Sequence, residues 1–217
     1  KLRDTIKLYE FAPKPKWNKI ALVFFSLVAL VYLIPMGSGQ VVLLGAFWVN
    51  YPMMYMLLMI TQVIVAGYIQ SSEKVHRGIL RNMAVLMEIY NLVSFVLFVV
   101  LRTWLAFRMQ QEEQVVPFLA AYCFYMMLYA VYVVFMYKKP VVGYILLVLL
   151  CGSISFGYQI FYTMLNQMTG SSIYGMIAVT AVVCALTPVL YYGLSLAMDK
   201  YPYSELMLNR IMRQKGA

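Results

Sequence analysis

Side chains that could do chemistry are few in this sequence, and their spacing does not assemble a catalytic centre. His76 is the only histidine and lies between two apolar stretches, so no His-ligated haem, zinc site or His-based triad can form inside them. The adjacent acids Glu112 and Glu113 fit a solvated loop. Three cysteines are too widely spaced for a metal or redox motif and best suit apolar packing: Cys123, Cys151 and Cys184.

Two further kinds of site are missing from the sequence. It contains no Gly-rich phosphate loop that ends in Gly-Lys-Ser/Thr, so we do not expect the chain to hydrolyse ATP by itself. Its long apolar stretches hold no acid for a proton or sodium relay. We therefore expect no catalytic residues, no metal site and no cofactor in this chain.

The elements of the chain follow from long stretches without a charge. One charge at the centre of a bilayer costs about 2.5–3.5 kcal/mol on insertion scales. Hydrophobic residues make up 64% and charged residues 12% of the chain, whereas soluble domains have about 45–50% and 25%. The sequence thus predicts an all-α polytopic membrane protein with one transmembrane domain over residues 1–217. Its charge-free stretches are Ile20–Met36, Val41–Ile69, Ile89–Leu101, Val115–Tyr137, Val141–Leu165 and Ile173–Met198.

Hydropathy and turn residues predict six spans, at about residues 20–36, 45–69, 88–106, 115–137, 141–164 and 173–198. Residues 1–18 are predicted to hold an interfacial helix with Leu2, Ile6 and Tyr9 on its apolar face. Residues 71–88 form a cytoplasmic segment and residues 199–217 a cytoplasmic tail. Pro188 is expected to kink span six.

The basic residues predict the orientation. Six precede the first span, three lie between spans two and three, two between spans four and five, and four follow span six, which leaves only Arg102 and Arg108. The positive-inside rule then places both termini in the cytoplasm. It also explains the net charge of +9 by topology and contact with membrane lipids, so no nucleic-acid partner is expected.

Residues Ser71–Tyr90 read as a cytoplasmic feature. If the segment is helical, Glu73, Arg77 and Arg81 recur every four residues on one face. Such a charged helix at the base of two spans suits docking of a soluble subunit. An ordinary basic loop held at the lipid headgroups is the alternative.

The same segment resembles the stretch between spans two and three of ABC-2 type transporter permease subunits, which holds the coupling helix that docks on the ATPase. The residues that carry the resemblance are Glu73, Arg77, Leu80, Met83, Val85, Glu88 and Ile89. Ala84 stands where proline is usual in that family. Because it is small, the chain is most similar to the permease subunits of bacterial exporters of amphipathic peptides, such as the phenol-soluble modulin exporters.

The resemblance implies a homodimer in the bacterial plasma membrane, in which each copy binds an ABC-type ATPase subunit that holds ATP and Mg. The ATPase contacts would be Glu73, Lys74, His76, Arg77, Arg81, Met83, Val85 and Glu88. A hydrophobic or amphipathic substrate, a peptide by resemblance, would be exported. The candidate substrate path comprises the deepest polar residues, for which hydrogen bonds between helices are an equal explanation: Gln62, Asn91, Ser94 and Gln159.

Two other functions stay open from the sequence. The substrate-binding S component of an energy-coupling-factor importer also has six spans, and it needs an Ala-x-x-x-Ala motif in span one. Here Ala21 and Ala29 are eight residues apart, with Phe25 between them. A non-transporting scaffold or immunity protein, whose inner loop recruits a partner, is the other alternative.

Overall fold

The computed structural model describes residues 2–35, 39–65, 73–152, 157–170, 172–205, 207 and 209, and no strand occurs among them. Short 3₁₀ segments, Leu8–Phe11 and Glu112–Gln114, lie before the second and sixth helices, and a π-helical segment, Phe95–Val100, joins the fourth to the fifth. The predicted all-α class is confirmed. The helices are α1 (Leu2–Lys7), α2 (Pro15–Val31), α3 (Gly39–Val63), α4 (Glu73–Ser94), α5 (Leu101–Arg108), α6 (Val115–Lys138), α7 (Pro140–Gly152), α8 (Gly157–Thr169) and α9 (Ile173–Met198).

Among the described residues, four helical segments are long and apolar enough to cross a membrane, and they match predicted spans two, three, four and six. They are Val42–Val63, Val75–Arg108, Glu112–Lys138 and Ile173–Met198. The first predicted span falls largely on α2, whose 17 residues extend about 25 Å. The fifth falls on α7 and α8, of 13 residues each, and residues 153–156 between them lie outside the described part. These apolar helices indicate a multi-pass membrane protein.

Helix α6 lies at the centre of the bundle and contacts α3, α7, α8 and α9. It is apolar on all sides, as expected for a helix that is buried all round. Tyrosine hydroxyls fasten it to α3: Tyr129 donates to the Phe47 carbonyl and Tyr137 to the Leu58 carbonyl, each at 3.3 Å. Part of the high tyrosine content therefore serves helix packing, because a phenol joins a large apolar ring to a hydrogen-bond donor.

Pro188 lies inside α9, and its ring nitrogen cannot donate to the Cys184 carbonyl four residues earlier. The side chain of Asn91 on α4 supplies the missing donor, since its Nδ2 lies 3.3 Å from that carbonyl oxygen. A buried carbonyl without a donor costs free energy. Helix α4 thus compensates for the proline of α9.

The amino-terminal segment packs onto α3 and α4. Thr5 is buried and accepts a hydrogen bond of 2.8 Å from Nδ2 of Asn82. Tyr9 is buried as well, but Ile6, which the helical pattern placed on the same apolar face, is 43% exposed. The pattern assumed one regular α-helix, whereas the turns change to 3₁₀ geometry after Lys7 and rotate the later side chains.

Candidate functional site

Charged groups from three helix ends meet at one end of the bundle. His76 lies near the start of α4, Lys138 ends α6, and Asp199 directly follows α9. The Asp199 carboxylate oxygen Oδ1 is 3.0 Å from His76 Nε2 and 3.9 Å from Lys138 Nζ. We call these three residues the Asp199 cluster and this end of the bundle the basic end. One carboxylate between two basic groups holds α4, α6 and α9 together there.

The start of the tail is held against the Asp199 cluster by Lys138. Its ammonium group donates to the Tyr201 carbonyl at 3.0 Å and lies 3.9 Å from the centre of the Tyr203 ring. Burial, and to a lesser extent the Asp199 carboxylate, raises the pKa of the Tyr203 phenol, which stays neutral at physiological pH. The neutral ring offers a π face to the ammonium group.

A small cavity of about 30 Å³ adjoins the Asp199 cluster. It has room for about two water molecules and none for a peptide or a vitamin. Polar groups on its wall give such waters hydrogen-bond partners. The residues that line it include Thr61, His76, Tyr137, Lys138, Ser195 and Tyr203.

The predicted ATPase contacts divide into an exposed and a buried set. Arg77, Arg81 and Val85 are exposed and follow one another at intervals of four on α4, so they form one strip, which we call the α4 strip. Glu88 is half-buried one turn further along. The side chains of Glu73 and Lys74 lie outside the described part of the chain, although both residues belong to α4.

Two predicted contacts do not lie on the α4 strip. Met83 is fully buried, and the Tyr191 hydroxyl of α9 lies 3.5 Å from its sulfur. His76 faces Asp199. The pattern grouped Met83 with Val85 as one apolar knob, but residues two apart on an α-helix point to nearly opposite sides. In this structure Met83 helps to hold α4 against α9.

The four polar residues of the candidate substrate path are not brought together. Asn91 and Ser94 are buried where α4 meets α6 and α9, and the Ser94 hydroxyl is hydrogen-bonded to that of Tyr122. Gln62 lies near the basic end of α3. Gln159 is exposed on α8, next to Tyr158, whose hydroxyl donates to the Pro117 carbonyl at the opposite end of α6. For Asn91 and Ser94, the structure supports hydrogen bonding between helices.

Sequence reasoning missed the role of Arg102, which it counted only as one of two basic residues outside the cytoplasmic segments. Its side chain is 4% exposed and donates from Nη1 to the carbonyls of Tyr32 and, at 3.2 Å, of Ile34. The guanidinium carbon lies 4.2 Å from the centre of the Phe118 ring. A solitary charge inside an apolar helix was the available signal, since such a residue needs polar partners.

Asp199 was also missed, although it was the one acid placed directly after a predicted span. Within the described residues no group of three His, Cys, Asp or Glu side chains could hold a metal ion. The chain matches no protein-family model, no characterised protein and no solved structure. The functional proposal therefore depends on the arrangement of the chain's own residues.

Proposed function

We propose that this chain is the membrane-spanning subunit of an ATP-driven exporter. It would move a hydrophobic or amphipathic peptide across the bacterial plasma membrane, and a separate ABC-type ATPase subunit would bind ATP and Mg. The observation that carries the proposal is the α4 strip, Arg77, Arg81 and Val85, which is exposed at the basic end. The resemblance of this segment to the coupling region of ABC-2 permeases points in the same direction.

The helix that bears the α4 strip suits the transmission of movement. From Val75 to Arg108 it runs for 34 residues, about 50 Å, with π-helical turns in its middle but no break. A soluble subunit bound to the α4 strip would therefore push on one end of an element that also crosses the membrane. Buried contacts of Met83 and Asn91 join this helix to α9, so the two helices would move together.

The proposal includes six spans with both termini in the cytoplasm, and a second copy of the chain. Support for this orientation comes from the basic end, where the exposed arginines near the start of α4 lie at the same end of the bundle as Lys138, Lys139 and Lys200, because His76 of α4 contacts Asp199. The positive-inside rule assigns such an end to the cytoplasm. An ATPase bound to the α4 strip would then have access to cellular ATP.

The test is purification of the tagged chain, with its native partners, from membranes of its own cells. We expect ATP hydrolysis in the preparation, with a higher rate when an amphipathic helical peptide is added. Arg77→Glu combined with Arg81→Glu should reduce both the bound ATPase and the stimulation to background. Arg108→Glu is the matched control, because it reverses an exposed arginine at the other end of the same continuous helix.

Other results would contradict the proposal. A preparation without ATPase activity would favour a scaffold or immunity protein. Tight capture of a vitamin without stimulation by the peptide would favour an S component. Equal loss of activity in the Arg108→Glu control would mean that charge reversal acts on folding and that the α4 strip has no special role.

A further inference from the structure

We propose that the junction of α6, α7 and the tail binds the headgroup of an anionic phospholipid. Lys139 Nζ lies 4.2 Å, and Lys200 Nζ 5.2 Å, from the centre of the Tyr201 ring. One aromatic ring thus brings together two ammonium groups from different helix ends. Ammonium groups bind phosphate as charged hydrogen-bond donors, so this pair of donors suits a phosphodiester.

The charge of this lysine pair is not neutralised by the nearby acid. The Asp199 carboxylate is already engaged by His76 at 3.0 Å and by Lys138 at 3.9 Å. In the part of the chain that the structure describes, neither Lys139 nor Lys200 forms an ion pair, and both are exposed. The Asp199 cluster therefore leaves the outer two lysines available to an external anion.

An exposed apolar stripe on α7 starts directly beside the lysine pair. Val141, Ile145 and Val148 are 73%, 56% and 69% exposed, and their spacing of four and three puts them on one helical face. From Val141 to Val148 the stripe extends about 10 Å along the helix. An acyl chain could lie along it while the phosphate stays at the lysines. This continuity favours a phospholipid over a free phosphate ion.

The position of the site agrees with the distribution of lipids. Anionic lipids are enriched at the cytoplasmic surface, and basic residues next to a span attract them by about 1 kcal/mol for each residue. The inference rests on the cytoplasmic orientation of the basic end that the proposed function includes, but not on an ATPase partner or on export of a peptide. A lipid bound there would fix the position of the tail relative to α6 and α7.

The experiment is native mass spectrometry of the detergent-purified full chain, titrated with phosphatidylglycerol or with phosphatidylcholine. We expect selective retention of phosphatidylglycerol. Lys139→Gln combined with Lys200→Gln should weaken that binding about thirtyfold, or about 2 kcal/mol. Lys7→Gln combined with Lys16→Gln is the matched control, because it removes the same charge from exposed positions of the amino-terminal segment and should weaken binding much less.

A second comparison tests the ring and the source of the phosphate. Tyr201→Phe keeps the aromatic face and should retain binding, whereas Tyr201→Leu should weaken it. Inorganic phosphate in excess should not displace the lipid, and Val141→Ser with Ile145→Ser should weaken lipid binding. The proposal fails if both lipids bind equally, or if the control variant loses as much as the Lys139 and Lys200 variant. Displacement by phosphate with no effect of the α7 changes would also overturn it, in favour of a soluble anion.

Discussion

At the scale of single residues, buried polar groups decide which side chains support the structure and which weaken it. Arg102 is buried yet has two carbonyl acceptors and an aromatic ring. Tyr9 is buried too, but its hydroxyl has no hydrogen-bond partner among the described residues. These two residues should therefore respond in opposite ways when their polar groups are removed.

Replacement of Arg102 should destabilise the chain. In Arg102→Met the carbonyls of Tyr32 and Ile34 lose a charged donor, which should lower the free energy of unfolding by about 3 kcal/mol. The measurement is the unfolding midpoint in detergent. Arg108→Met serves as control, since this arginine is exposed and should change stability by about 0.5 kcal/mol or less. Equal losses in both variants would contradict a special role for Arg102.

Replacement of Tyr9 should do the reverse. Tyr9→Phe removes a buried hydroxyl without a partner and should raise the free energy of unfolding by about 1 kcal/mol at neutral pH. Burial raises the pKa of Tyr9 from 10.0 to about 12, so the unfolded chain releases this proton first. The free energy of unfolding of the unaltered chain should therefore be constant in this respect below pH 10 and should fall as the pH rises towards 12. The difference in stability in favour of Tyr9→Phe should grow over the same range.

The check is thermal unfolding in detergent at neutral pH and between the two pKa values of Tyr9. Tyr174→Phe is the control, because that tyrosine is 85% exposed and should respond at neither pH. A loss of stability in Tyr9→Phe at neutral pH would mean that the hydroxyl has a partner. The helical pattern predicted that Tyr9 lies on an apolar face, but it could not predict that the hydroxyl has no hydrogen-bond partner, because that depends on the tertiary structure.

At the scale of elements, the compensation of Pro188 by Asn91 predicts an energetic coupling between α4 and α9. Asn91→Leu leaves the Cys184 carbonyl without a donor and should cost about 1–2 kcal/mol. In a Pro188→Ala background the new backbone N–H can donate to that carbonyl, so the same change should cost about 1 kcal/mol less. A double-mutant cycle of unfolding midpoints measures this difference.

Asn50→Leu provides the control for that cycle. Its side chain donates to the Ala46 carbonyl at 2.9 Å and lies 3.5 Å from the Tyr122 carbonyl of α6; neither acceptor belongs to α9, so its effect should add to that of Pro188→Ala without coupling. Additive effects for Asn91 as well would show that its hydrogen bond to α9 has no energetic link to the proline.

Hydropathy predicted most of the membrane elements because it measures the property that membrane insertion requires. It recovered α6 and α9 closely, but it placed span two about six residues later along the chain than α3 and began span three near Glu88, whereas the helix already starts at Glu73. Charged residues end an apolar window without ending a helix, so hydropathy reports the part that suits lipid and not the whole element. The π-helical segment Phe95–Val100 has no hydropathy signal at all.

At the scale of the whole molecule, the sequence predicted which segments would share an end but not which residues would touch. That prediction needed only the number of basic residues in each segment between the spans. The contact of His76 with Asp199 joins positions 123 residues apart, and it depends on how α4 and α9 rotate about their axes. A single sequence does not give those rotations, which is why the pattern placed Met83 and His76 on a docking surface and left Asp199 unassigned.

The orientation of the whole molecule gives the last prediction. With Cys123, Cys151 and Cys184 replaced by alanine, single cysteines are introduced by Lys7→Cys or Arg108→Cys, both at exposed positions near opposite ends of the bundle. A membrane-impermeant maleimide should label Arg108→Cys in intact cells, but Lys7→Cys only after permeabilisation, because the basic end should face the cytoplasm. Both variants should react equally once the membrane is opened. Labelling of Lys7→Cys in intact cells would place the α4 strip outside the cell, where no ATPase fuelled by cellular ATP could reach it.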